Sequence, residues 1–335
     1  MTAQRKSVPR FKRLAEAPRI ELTDDDIEIL RHVYRHRFVR ADDLYRLFPG
    51  RSPDKLSRRL VRLYRTHYLD RPIAQVDRFR EGGSQPMVYG LDNAGARFLA
   101  ETLGLRLASG EWKARNRSYT RENLDHTLAI TRFMVDLELA CRARPDIELI
   151  PFEEIVAAAP DTTRRLAQPG RWSVAVEWLH GSGEVLVVPD AIFGLRHTQS
   201  DGRKVRSFVF LEIDRGTMTI VPSKHVRESA AFLHRATILR KLLTYATSHR
   251  AKLHQLHLGI AVARVLTVTT SAARAEAMRQ AAHRLIVQPM GLPAGLFLFG
   301  GQAEADNPLS ASWLGAGGHP ASLAPDLVTQ HLKSP

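Results

Sequence analysis

Residues 185 to 217 constrain this chain more than any other stretch, and their two ends read VLVVPDAIF and FVFLEIDRGT. β-Branched and apolar residues dominate each end and turn formers bound it, the pattern of a strand. The segment between them, HTQSDGRKV at 197 to 205, is polar and contains Gly202. The whole predicts a β-hairpin with Asp190 on its first strand and Glu212 and Asp214 on its second. Side chains alternate along a strand, so Glu212 and Asp214 are expected on one face. Buried carboxylates are costly unless paired, hydrogen-bonded or bound to a cation. Mg²⁺ takes oxygen ligands from a few carboxylates and waters, and Asp190, Glu212 and the Ile213 carbonyl offer such a set. The alternative puts the acids at the hairpin's wet ends, paired with Arg196, Arg206 or Arg215.

A chain of 335 residues is long enough for two domains. No run approaches the ~20 apolar residues of a transmembrane helix, and the basic start lacks the apolar core of a signal peptide. Cys141 is the sole cysteine, which excludes internal disulfides and cysteine-based zinc sites and reads as a buried residue in a reducing cytoplasm. The formal charge of +14 favours a polyanionic partner, nucleic acid before membrane. That excess is local: residues 51 to 71 hold seven Arg or Lys against Asp54 and Asp70.

Residues 1–20 are polar, basic and aperiodic, which predicts a flexible arm. Thr23 and the three Asp residues after it suit a helix N-terminus. Ile27, Leu30, Val33 and Tyr34 follow at helical spacing. A short helix over 41–47 stops at Pro49-Gly50. A third helix opens at Ser52-Pro53 and buries Leu56, Leu60 and Leu63. Lys55, Arg58, Arg59, Arg62 and Arg65 fall mostly on a second stripe of that helix. Strands over 68–75 and 87–91 then flank a Gly82-Gly83 tip. Helix, helix, basic helix and hairpin predict a winged helix-turn-helix over 21–104. In that fold the third helix enters the major groove of double-stranded DNA, and Arg78 and Arg80 lie on the wing. A basic helix face that is merely solvated is the alternative.

Residues 105–123 lack periodicity and read as a linker. The second domain, 124–300, is expected to run helix, strand, central strand WSVAVEWL, acidic hairpin, helix, strand, helix, strand, a mixed α/β sandwich. His126 opens the apolar face of its first helix. Residues 301–335 are rich in Gly, Ala, Ser and Pro and predict a disordered tail.

Pro189-Asp190 on one strand and Glu212-Ile213-Asp214 on the next resemble the signature of the PD-(D/E)xK nuclease fold, with Asp214 where Lys is usual. The ExDRGT wording, a Lys and a Tyr on the following helix, and a winged helix in front resemble the replication-relaxation family of plasmids and mobile elements. The resemblance implies Mg²⁺ held by Asp190 and Glu212 against a scissile phosphate. It also implies catalytic roles for Asp214, Lys241 and Tyr245, with Lys241 replacing the missing lysine from the neighbouring helix, and a supporting role for His126. Without the resemblance, Lys241 and Tyr245 read as ordinary residues of an amphipathic helix. Two readings stay open: a DNA-binding protein of replication, relaxation or mobilisation with a degenerate nuclease-like module, or an active Mg²⁺-dependent endonuclease or nickase. Either admits replication or conjugation proteins of the same element as partners.

Overall fold

The computed structural model describes residues 10–13, 20–79, 85–104, 111–179 and 181–324, and of residues 77–79 the backbone only. Two compact units divide the chain at residues 135 and 136.

The first unit begins with α1 (Asp24–His36). Asp26, fully buried, accepts from the Thr23 amide at 2.8 Å and the Thr23 hydroxyl at 2.9 Å, which fixes the helix start. A three-residue strand, β1 (Phe38–Arg40), leads into α2 (Ala41–Leu47) and α3 (Pro53–Arg65). Leu56, Leu60 and Leu63 of α3 are buried, as their spacing predicts, and Tyr64 is buried with them. Next come β2 (Leu69–Asp70) and β3 (Val88–Leu91), which complete an antiparallel sheet of order β1-β3-β2.

The expected strand over 68–75 is therefore cut short. Residues Ile73–Phe79 form a 3₁₀ helix instead. The cause is Gln75, whose buried amide donates to the Val88 carbonyl at 2.9 Å and accepts from the Val88 amide at 2.8 Å. A side chain thus satisfies the backbone groups that a strand partner normally would. Arg80, the Gly82-Gly83 tip and the side chain of Arg78 lie outside the described residues.

The expected linker holds structure. After α4 (Asn93–Leu103) comes α5 (Trp112–Arg117), with Trp112 and Asn116 buried. The Asn116 amide donates to Asp70 at 3.0 Å and to the Leu91 carbonyl at 2.9 Å, tying α5 to the small sheet. Then α6 (Arg121–Arg142) starts within this unit: Leu124 and Leu128 join Phe38 and Val88 in one apolar cluster. Residues 10–13 of the expected arm are also held, because Arg13 pairs with Asp70 at 3.1 Å and Asp92 at 2.6 Å.

In the second unit β4 (Ile147–Ile150) is followed by short helices α7 (Phe152–Ala157) and α8 (Asp161–Arg164). WSVAVEW becomes β5 (Trp172–Trp178), which pairs with β6 (Gly181–Val187) as a separate two-stranded ribbon. It is not the central strand of the main sheet. Its alternating Trp172, Val174 and Val176 face the core, while the residues between them are exposed.

The main sheet is built on β7 (Ala191–Thr198) and β8 (Lys204–Ile213), the antiparallel hairpin that the sequence predicts. Short α9 (Lys224–Arg227), then α10 (Ile238–Arg250) and short α11 (Leu253–Leu258), cross over to β9 (Ala263–Val268). From there α12 (Ala272–Ala282) leads to β10 (Phe297–Gly300). β8, β9 and β10 run parallel. This is a mixed α+β protein.

Beyond Gly301 the chain continues into β11 (Trp313–Gly315) and β12 (Pro320–Ala321), which extend the sheet to the order β12-β11-β10-β9-β8-β7-β4. The expected disordered tail is thus folded through residue 324. Trp313 is fully buried and its indole donates to the Pro308 carbonyl at 3.0 Å. Leu309 and Leu323 are buried as well, and Arg264 donates to the Ser322 and Leu323 carbonyls.

Candidate functional site

Because β8 and β9 are parallel neighbours, their carboxyl ends share one edge of the sheet, the position where open α/β sheets bind ligands. Glu212 stands there, opposite Thr267. The antiparallel β7 begins at this same edge, with Ala191 opposite Leu211, and so brings Asp190 alongside. Asp190 precedes β7 rather than lying within a continuous strand from 185, because β6 ends at Val187. Its amide donates to the Leu211 carbonyl at 3.0 Å, and its carboxylate accepts from the Ile213 amide at 2.8 Å.

Glu212 is 5% exposed. One of its oxygens receives the Lys241 ammonium at 2.5 Å and the other the Tyr245 hydroxyl at 2.6 Å. Lys241 and Tyr245 lie one turn apart on α10, so a helix packed on the sheet presents both to one carboxylate. Thr237 caps that helix through the Arg240 amide, and the first-turn amides of Ile238 and Leu239 donate to Thr219 and Ile220. The Tyr245 ring stacks on Phe210, two residues before Glu212. Lys241, the residue expected to stand in for the missing lysine, is thus seated directly on Glu212.

Burial pushes the Glu212 carboxyl up to about 7, and the Asp190 charge adds to that rise. Burial opposes the charge on Lys241, but Glu212 and Asp190 outweigh it and hold the ammonium above its usual range. Tyr245 is raised well above the ordinary phenol by burial and by Glu212, so it stays a donor. A cleft of about 190 Å³ opens beside these groups, lined by Glu212, Arg240, Lys241, Thr244, Tyr245 and the end of β6.

Asp214 belongs to a different set. Arg274, in the first turn of α12, grips its two oxygens at 2.6 and 3.1 Å. Thr269 donates to it at 2.6 Å and the Gly216 amide at 3.2 Å. Burial raises this carboxyl, but the bonds from Arg274 and Thr269 prevail and lower it. Asp214, expected as a catalytic residue, thus ties the end of β8 to α12. Of the arginines named as alternative partners, Arg196 binds Glu148 and Glu154 at 2.5 Å each instead. Sequence reasoning missed Arg274 and Thr269, and no spacing signal distinguishes that arginine from others.

Two carboxylates, Asp190 and Glu212, are the right chemistry for Mg²⁺, which commonly keeps its remaining positions for waters and phosphate oxygens. Asp214 does not join them as a third ligand, since its oxygens are spent on Arg274, Thr269 and Gly216. His126 lies half-buried on α6 within the first unit, not on the first helix of the second.

On α3, Lys55, Arg58 and Arg62 are exposed and Arg65 half-buried, along the stripe opposite Leu60. Arg59 already has a protein partner: its guanidinium donates to Asp26 at 2.6 Å and to the Glu21 carbonyl at 2.8 Å. It holds the start of α1 to the middle of α3. Burial raises Asp26, but the bonds from Arg59 and Thr23 win and lower it.

Among the described residues, no helix is long and apolar enough to cross a membrane. The family model described as replication-relaxation matches residues 30–263, more than half of the chain. Neither a curated protein nor a solved structure matches it.

Proposed function

Because the chain belongs to the replication-relaxation family, we propose that it binds double-stranded DNA of a plasmid or mobile element and nicks it with Mg²⁺ during replication or relaxation. The first unit serves as a winged helix-turn-helix, with Lys55, Arg58, Arg62 and Arg65 of α3 set against the duplex. The second unit is the nuclease-like module. The single observation that carries this reading is the seating of Lys241 on Glu212, which supplies from α10 the lysine that the ExD motif lacks.

Asp190 and Glu212 would hold the Mg²⁺, which when bound supplies a Lewis acid and an activated water for phosphodiester cleavage. The protein's own groups have distinct parts. The Ile213 amide fixes one Asp190 oxygen, which orients the carboxylate. Lys241 and Arg240 line the cleft and offset the charge of an entering phosphate. Tyr245 keeps its proton and steadies Glu212 rather than acting as a base.

One observation favours a non-catalytic module: both Glu212 oxygens already have protein donors. A metal-binding titration separates the two readings. Calorimetry should show Mg²⁺ uptake by the wild type and none by Glu212→Gln; equal heats from both would remove the metal site. DNA binding is read by anisotropy with a labelled duplex. Arg58→Ala with Arg62→Ala should lose about two units of salt slope, roughly 0.9 per phosphate contact. An unchanged slope would refute the role of α3.

A further inference from the structure

The first unit contains a cleft of about 460 Å³ beside α3, within the roughly 300–1,000 Å³ typical of small-ligand sites. Arg10, Lys12, Arg65 and Arg71 line it, against the single carboxylate of Asp42. Arg71 is the unusual member. It is only 8% exposed, and among the described residues no carboxylate pairs with it.

Its guanidinium lies 4.3 Å from the Tyr64 ring centre and 5.2 Å from that of Tyr89. One nitrogen donates to the Tyr89 hydroxyl at 3.0 Å and another to the Arg10 carbonyl. The buried Nε has no hydrogen-bond partner. A buried cation stacked between aromatic rings, with a spare donor and no counter-charge, is costly unless an anion completes it. An arginine fork suits a phosphate in particular, because two parallel N–H bonds match two of its oxygens.

Arg65 joins this cleft to the α3 stripe: it follows Arg62 by three residues on the same side and ends the helix. Tyr45 of α2 also lines the cleft. We infer that this cleft is a phosphate-ester subsite in which Arg71 and Arg65 hold one phosphate, separate from the acidic site of the second unit. The ester is either a phosphodiester of the bound DNA or the phosphate of a free nucleotide. The first source rests on the DNA-binding reading of α3; the second does not.

The test uses full-length protein in two arms. Thymidine 5′-monophosphate is titrated while tyrosine fluorescence is followed, and duplex binding is measured by anisotropy across a salt series. Arg65→Gln is the main variant, since Arg65 is half-buried; Arg71→Lys keeps the buried charge but loses the fork. Matching melting temperatures establish that each variant folds.

A DNA phosphate in the cleft predicts no mononucleotide binding and duplex affinity lowered about tenfold in Arg71→Lys, besides the slope of about 0.9 that Arg65→Gln loses. A free nucleotide predicts mononucleotide binding weakened about tenfold in both variants, with duplex affinity unchanged in Arg71→Lys. The inference is overturned if the variants match the wild type in both arms. Failure of the DNA-binding reading looks different: the wild type then binds no duplex, and the mononucleotide arm decides alone.

Discussion

At Glu212 the balance between a proton and a metal is set by two neighbours of opposite charge. With its carboxyl raised to about 7, a proton competes with Mg²⁺ near neutrality. Uptake should therefore weaken as pH falls below 7 and strengthen above it. Lys241→Met removes the ammonium and leaves Glu212 facing Asp190 alone, so the pH at half-uptake should rise by about one unit or more. A titration over pH 6–9 reads both.

The same group sets a stability trend in metal-free protein. A raised carboxyl contributes stability that is full below its unfolded value of about 4.5 and is lost as pH rises through 7. Asp26 and Asp214 act in the opposite sense. Both are lowered, so their contribution is present above the ordinary carboxylate range and lost as pH falls through it. Arg59→Ala leaves Asp26 buried without its cation and should cost about 2–3 kcal/mol in urea unfolding. If Arg59 faced DNA instead, stability would hold and only affinity would fall. The two-residue alternation singled out Glu212 and the family wording singled out Lys241, and the two side chains meet. The pairing of Arg59 was not legible in the sequence, because a helical stripe shows which face is polar but not which of its cations already has a partner.

Whole elements were legible where apolar periodicity carried them and illegible where single side chains did. The first three helices, α1 to α3, and the β7–β8 hairpin follow directly from spacing. The 3₁₀ helix after β2 depends on one glutamine reaching across to Val88, and local propensity carries no trace of that. β11 and β12 were hidden for a related reason. Their sequence is rich in Gly, Ala and Pro, and their order rests on Trp313 and on sheet pairing with β10. Trp313→Ala should therefore cost about 3–5 kcal/mol. It should also raise protease sensitivity after residue 300. A change within 0.5 kcal/mol would show that the segment is only loosely held.

For the whole molecule, a charge of +14 favours a polyanionic partner. The domain limits were less legible than the domain count. Trp112 and Asn116 are buried against the first unit, so its boundary lies beyond the aperiodic stretch that suggests a linker. The most direct measurement of the central claim is conversion of supercoiled plasmids carrying several origins by full-length protein, in Mg²⁺ or EDTA, beside Glu212→Gln. The account predicts nicked circles from the wild type in Mg²⁺ alone and none from the variant. Equal nicking by the variant, or DNA binding with no nicking on any origin, would contradict it.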